Sequence, residues 1–135
     1  MKNPDDYLYE YAVIRYMPRV ERGEFINVGL IMMCKRQRWI HCELHLDPVK
    51  LKAINPKVNI ERLRQQLNMF ESDTVPFPGL PVEERYRWLT AAKSAIIQTS
   101  PSHPGIVYPK EQTENADKLA PLHDVFLKLK QELLL

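Results

Sequence analysis

Three β-rich segments crowd the first 46 residues, and they constrain the fold more than any other feature. Residues 7–17, "YLYEYAVIRYM", are rich in aromatic and β-branched side chains and end at Pro18. Residues 25–34, "FINVGLIMMC", are apolar on both faces, as a central strand covered on both sides should be. Residues 39–46, "WIHCELHL", alternate: Ile40, Cys42, Leu44 and Leu46 share one face, and Trp39, His41, Glu43 and His45 the other. The short link "KRQR" joins the second and third strands as a hairpin. Matching apolar faces sets Ile40, Cys42, Leu44 and Leu46 opposite Ile26, Val28, Leu30, Met32 and Cys34. That register needs an odd loop with a bulge near Gln37, and it puts Cys34 and Cys42 on one face without opposing them. A strain-free disulfide between them is not expected.

Helical patterns follow. Asp47 and Pro48 open a short helix carrying Val49, Leu51 and Ile54, which Asn55-Pro56 ends. Asn59 caps a longer one with Ile60, Leu63, Leu67 and Phe70 inward. "ESDTVPFPGLP" reads as a loop, and Pro81 starts a third helix with Val82, Tyr86 and Leu89 as its stripe. Residues 94–100 read as a fourth strand, "PSHPGIVYPKEQ" as a Pro-rich loop, and the chain from about Pro121 as a last helix. Its inward face is Leu122, Val125, Phe126, Leu129 and Leu133, and a weaker helical turn precedes it after Thr113. The "ELLL" end is apolar enough to dock on a core or on a partner. The order β-β-β-α-α-α-β-α predicts an α+β domain: an antiparallel sheet of about four strands with helices packed on it. At 135 residues the chain is expected to be a single domain, 1–135.

Charge and motifs exclude more than they assign. The net charge of +2 is too balanced to argue for nucleic acid or membrane on its own. No apolar run is long enough to span a bilayer, and "MKNPDDYLYEY" lacks the pattern of a signal peptide, so the cytoplasm is the expected compartment. There is no phosphate loop, dinucleotide fingerprint, GxSxG or kinase signature, and no cofactor is expected. The thiols and imidazoles lack CxxC or HExxH spacing, so no metal is expected either. No complete catalytic set is visible, and the chain reads as non-enzymatic.

The stronger signal is basic. Between Arg15 and Arg38 stand six cations, Arg15, Arg19, Arg22, Lys35, Arg36 and Arg38, against Glu21 and Glu24. Lys35, Arg36 and Arg38 belong to a hairpin at the far end of the second strand, where charge keeps a sheet soluble. "PRVERGE" is either a salt-laced turn with Gly23 at positive φ or a site. Arg15 is less expected, because it lies inside a strand, where an arginine needs a partner or an anion. Asn27 and Gly29 share a face downstream; the glycine leaves room for close approach and the asparagine offers donor and acceptor.

The strings "YEYAVIRYMPRVERGEFINVGLIM", "DPVKLKAINPKVNIERL" and "ERYRWLTAAKSAIIQTSPSHPG" together resemble the bacterial family called domain of unknown function 3037. The likeness runs from Tyr9 to about Gly105. It implies a small standalone α+β protein and no known activity. Members resemble proteins encoded beside HipA-like kinases, which implies an accessory or regulatory protein partner. The family's motif positions fall here on Arg15, Pro18, Arg19, Glu21, Arg22, Glu24, Asn27, Gly29, Gln98, Ser100 and His103. If the fourth strand lies beside the first, Arg15, Arg19, Arg22, Gln98, Ser100 and His103 could line one anion pocket, with Glu21, Glu24, Asn27 and Gly29 in support. The alternative to a partner-binding module is therefore a domain that binds or acts on a phosphorylated small molecule or nucleic acid.

Overall fold

β2 (Ile26–Cys34) is the structural axis, with every residue from Val28 to Cys34 buried. A strand so apolar must be covered on both faces, and burying Leu30, Ile31 and Met32 alone stabilises by roughly 1.5–3 kcal/mol each. The computed structural model describes residues 4–91, 94–109 and 117–135. β2 lies between β1 (Leu8–Tyr16) and β3 (Trp39–Leu44), antiparallel to both. On its far side β1 pairs with β4 (Ile97–Thr99) and β5 (His103–Ile106), again antiparallel. The sheet runs β3-β2-β1-β4, with β5 beside the first half of β1. This is the expected α+β domain with an antiparallel sheet.

Helices cover one face from the middle of the chain and the other from its end. α1 (Pro48–Ile54), α2 (Ile60–Leu67) and α3 (Val82–Thr90) pack Leu51, Leu63, Leu67, Tyr86 and Leu89 on Ala12, Ile14, Tyr16, Ile31 and Met33. α4 (Ala120–Leu133) packs Leu122 and Phe126 on Leu30, Met32, Cys34 and Trp39. Leu134 and, in part, Leu133 join that second core, while Glu132 and Leu135 stay exposed. The caps are as expected. The Asp47 carboxylate accepts from the Val49 and Lys50 amides, and Asn59 Oδ1 accepts from the Arg62 amide at 3.0 Å. Val49, grouped with the apolar side of α1 in the sequence, instead points to solvent.

The β2–β3 register corrects the sequence expectation. Cys34 faces Trp39 across a four-residue loop, 35–38, so the loop is even. Ile40, Cys42 and Leu44 stand opposite Met33, Ile31 and Gly29, whereas Leu30, Met32 and Cys34 turn to α4. The cysteines are therefore on opposite faces, and both are free thiols. Because β2 is apolar on both sides, hydrophobic matching could not choose the parity. The fourth strand is also shorter than residues 94–100, and β5 forms within the segment read as a loop. Pro104 and Gly105 disguise it. An edge position asks no inward amide of Pro104, and the Tyr9 ring occupies the space a Gly105 side chain would need. The helical turn expected after Thr113 falls largely outside the described residues.

Two positions show how tightly the sheet is keyed. The β1–β2 register shifts between Ile14 and Arg15, so Ile14 faces Gly29, Arg15 faces Asn27, and Val28 is the extra residue, buried under α1–α3. A Cβ at Gly29 would stand 2.9 Å from Ile14 Cδ1 and 3.0 Å from Leu44 Cδ2. The room that Gly29 leaves is thus taken by core side chains. Gly29→Ala should lower stability by about 1–3 kcal/mol, read as a drop in urea midpoint at unchanged slope.

The second position is Tyr86, whose hydroxyl lies 2.7 Å from Ser102 Oγ, which in turn donates to Glu10 Oε1 at 3.2 Å. Burial, with Glu10 adding to it and Ser102 opposing, pushes the phenol up from 10.0 to about 12. The folded state therefore holds this proton more tightly than the unfolded chain. The associated stability is full below pH 10.0 and is lost as pH rises toward about 12. Tyr86→Phe should flatten that alkaline loss in a stability-versus-pH series. Tyr7 and Tyr9, raised by their own burial, should leave a residual slope.

Candidate functional site

The turn between β1 and β2 is built for rigidity. Residues Val20–Arg22 make one 3-10 turn, which Gly23 closes at φ 66 by donating its amide to the Val20 carbonyl. That left-handed conformation favours glycine. Arg19 Nε contacts Glu21 Oε1 at 2.7 Å, and Arg22 Nε contacts Glu24 Oε1 at 2.5 Å. A hydrogen bond from its own backbone amide, then the Arg19 guanidinium, holds the Glu21 carboxyl below the usual range. Both ion pairs are exposed, so each is worth about 0–1 kcal/mol. Each pair uses Nε, and no protein acceptor engages the terminal nitrogens of either arginine among the described residues.

This turn faces the end of α1 across an open cleft of about 200 Å³. Pro18, Arg19, Arg22 and Glu24 line one side, and Ala53, Ile54 and Pro56 the other. Asn55, the residue that ends α1, donates its side-chain amide to the Tyr16 hydroxyl at 2.9 Å, which pins the helix to the end of β1. Two of the strings that carry the family likeness thus meet in one place.

Arg15 lies elsewhere. It shares the α4 face with Asn27, whose Nδ2 donates to the Leu133 carbonyl at 3.0 Å. Its guanidinium carbon sits 4.4 Å from the centre of the Phe25 ring. Glu21 and Glu24 are taken by Arg19 and Arg22, and Arg15 has no carboxylate in ion-pair reach among the described residues. Arg15 Nε and Asn27 Oδ1 are both buried without a hydrogen-bond partner.

The other expected residues are spread along the β1 edge. Gln98 stands opposite Arg15 and donates to the Ala95 carbonyl. Ser100 is buried and structural. Its hydroxyl accepts from the Val13 amide at 2.9 Å and donates to the Pro101 carbonyl. His103 is exposed, opposite Tyr11, with the two rings 5.2 Å apart. Arg15 and His103 share a face, but Tyr11 precedes Arg15 by four strand residues, roughly 13 Å. The structure thus brings Arg19, Arg22 and Glu24 together, sets Arg15 between Asn27 and Gln98, and leaves Ser100 and His103 outside both groups.

A second cleft, of about 280 Å³, opens at the β3 edge and includes Cys42, Glu71, Asp73 and Arg85. The sequence reading did not single it out. The available signal was Arg85, one turn before Leu89 and so beside the inward stripe of α3. Among the described residues no group of three His, Cys, Asp or Glu side chains is placed to hold a metal, and no helix is long and apolar enough to cross a membrane.

A buried unpaired donor costs about 1–3 kcal/mol, more than an exposed cation–π contact returns. Arg15→Met should therefore raise stability by roughly 1 kcal/mol in urea unfolding. A large loss would instead make Arg15 a structural residue.

A family model described as a protein of unknown function (DUF3037) matches residues 11–121, in agreement with the likeness carried by "RYMPRVERGEFINVG". No curated protein and no solved structure matches the chain.

Proposed function

For this chain, which belongs to that family, we propose the role of a non-catalytic interaction module of the cytoplasm that holds a protein partner at the cleft between the charged turn and α1. The observation that carries this reading is the make-up of the cleft. Pro18, Ala53, Ile54 and Pro56 supply apolar surface, and Arg19 and Arg22 frame it with uncommitted terminal nitrogens. Val20, 47% exposed, and Val49, 78% exposed, are further apolar side chains on the same two elements, outside the cleft lining. A partner segment with an aliphatic side chain flanked by carboxylates suits both features: the side chain fills the cleft and the carboxylates take the guanidinium edges. A HipA-like kinase, the partner the resemblance implies, is the first to test.

A second reading has one observation in its favour. Arg15 carries a guanidinium with a buried Nε and no carboxylate partner among the described residues, and a bound anion would supply the counter-charge. A phosphorylated small molecule or nucleic acid would then bind at Arg15 and Gln98, with Arg19 and Arg22 as a separate contact.

The two readings part on charge reversal. Arg19→Glu with Arg22→Glu should weaken capture of a purified HipA-like kinase at least tenfold, about 1.4 kcal/mol, with the melting temperature little changed. Undiminished capture by that variant would sink the partner reading. Phosphate-dependent stabilisation that disappears in Arg15→Gln would support the second.

A further inference from the structure

We propose that the cleft between β3 and α3 binds a small zwitterion: a molecule of amino-acid size that carries one carboxylate and one ammonium group. The cleft is separate from the charged turn, and its volume of about 280 Å³ lies just below the range of about 300–1,000 Å³ for drug-sized sites, which suits a metabolite. Ile40, Phe70 and Leu89 give it apolar walls. Cys42 belongs to the same lining. Burial, then Glu71 and Glu43, pushes its thiol far above the ordinary range, so it stays protonated and serves as packing rather than as a nucleophile.

The charged groups of the cleft are of both signs, and they do not neutralise one another. Glu71 ends the 3-10 turn Asn68–Glu71, Asp73 follows in the loop, and Arg85 projects from α3. Among the described residues neither carboxylate has a basic group within ion-pair distance, and Arg85 has no carboxylate. Arg85 Nη2 donates instead to the Asp73 backbone carbonyl, which fixes the guanidinium against the loop. Its Nε is fully buried with no acceptor. A ligand carboxylate would pair with the part of the Arg85 guanidinium that lines the cleft. A ligand ammonium answers Glu71 and Asp73. A simple anion or a simple amine engages one of these charges and not the other.

The test uses the purified full chain and calorimetric titration with free L-amino acids, their N-acetyl derivatives and their amides. At least one free amino acid should bind. Its N-acetyl form, lacking the ammonium, and its amide, lacking the carboxylate, should each bind at least tenfold more weakly. Arg85→Gln should abolish binding. Glu71→Gln with Asp73→Asn should do the same, and because both of these residues are exposed, this variant keeps the test valid should Arg85→Gln fail to fold. The proposal is overturned if no free amino acid binds, if the blocked derivatives bind as well as the parent, or if the folded variants retain the affinity.

Discussion

The burial of β2 on both faces is the constraint on which the rest of the molecule depends. A single helical layer would leave either Ile31 and Met33 or Leu30, Met32 and Cys34 in water. The chain meets this by covering one face with α1–α3 and returning thirty residues after α3 to lay α4 on the other. Small hydrogen bonds fasten that late arrival. Asn27 reaches the Leu133 carbonyl, and Lys130 reaches Glu43 Oε1 at 3.2 Å. Their individual worth is modest, but they fix which part of α4 lies over which strand.

The same two-sided sheet partitions the charge. Arg15 and Arg19 are four residues apart in sequence, yet Arg15 lies on the α4 side with Asn27, while Arg19 lines a cleft shared with α1. The shift at Ile14/Arg15 places Val28 in one core and Asn27 toward the other. An apparent single basic cluster thus becomes two environments: a solvated pair of ion pairs, and a guanidinium lying on Phe25 with one nitrogen unsatisfied. The first suits reversible recognition. The second carries a stability cost, which is the usual mark of a residue kept for something other than the fold.

Much of this was legible in the sequence because local chemistry decided it. Asp47, Asn59 and Gly23 announced two caps and a turn, and the 3.6-residue stripes located α2, α3 and α4. What stayed hidden was decided by non-local packing. The β2–β3 register was ambiguous because β2 has no polar face to set its parity. β5 escaped because Pro104 and Gly105 are poor strand formers whose drawbacks vanish only beside Tyr9 at an edge. Ser100 looked like a ligand donor, but beside β1 its hydroxyl accepts from the Val13 amide. Neither cleft was legible as a whole: Arg19, Arg22 and Glu24 mark one side of the first and Arg85 hints at the second, but each is lined by segments far apart in the chain.

The break between β4 and β5, where that Ser100 hydroxyl sits, bears on how the molecule behaves in a crowded solution. Between β4 and β5 the outer margin of the sheet is interrupted at residues 100–102, and Pro101 and Pro104 carry no amide hydrogen there. A neighbouring chain seeking to add a strand would meet a broken ladder with missing donors. This margin is a poor template for intermolecular sheet growth. At this margin, strand addition is opposed by the very residues that make β5 look like a loop.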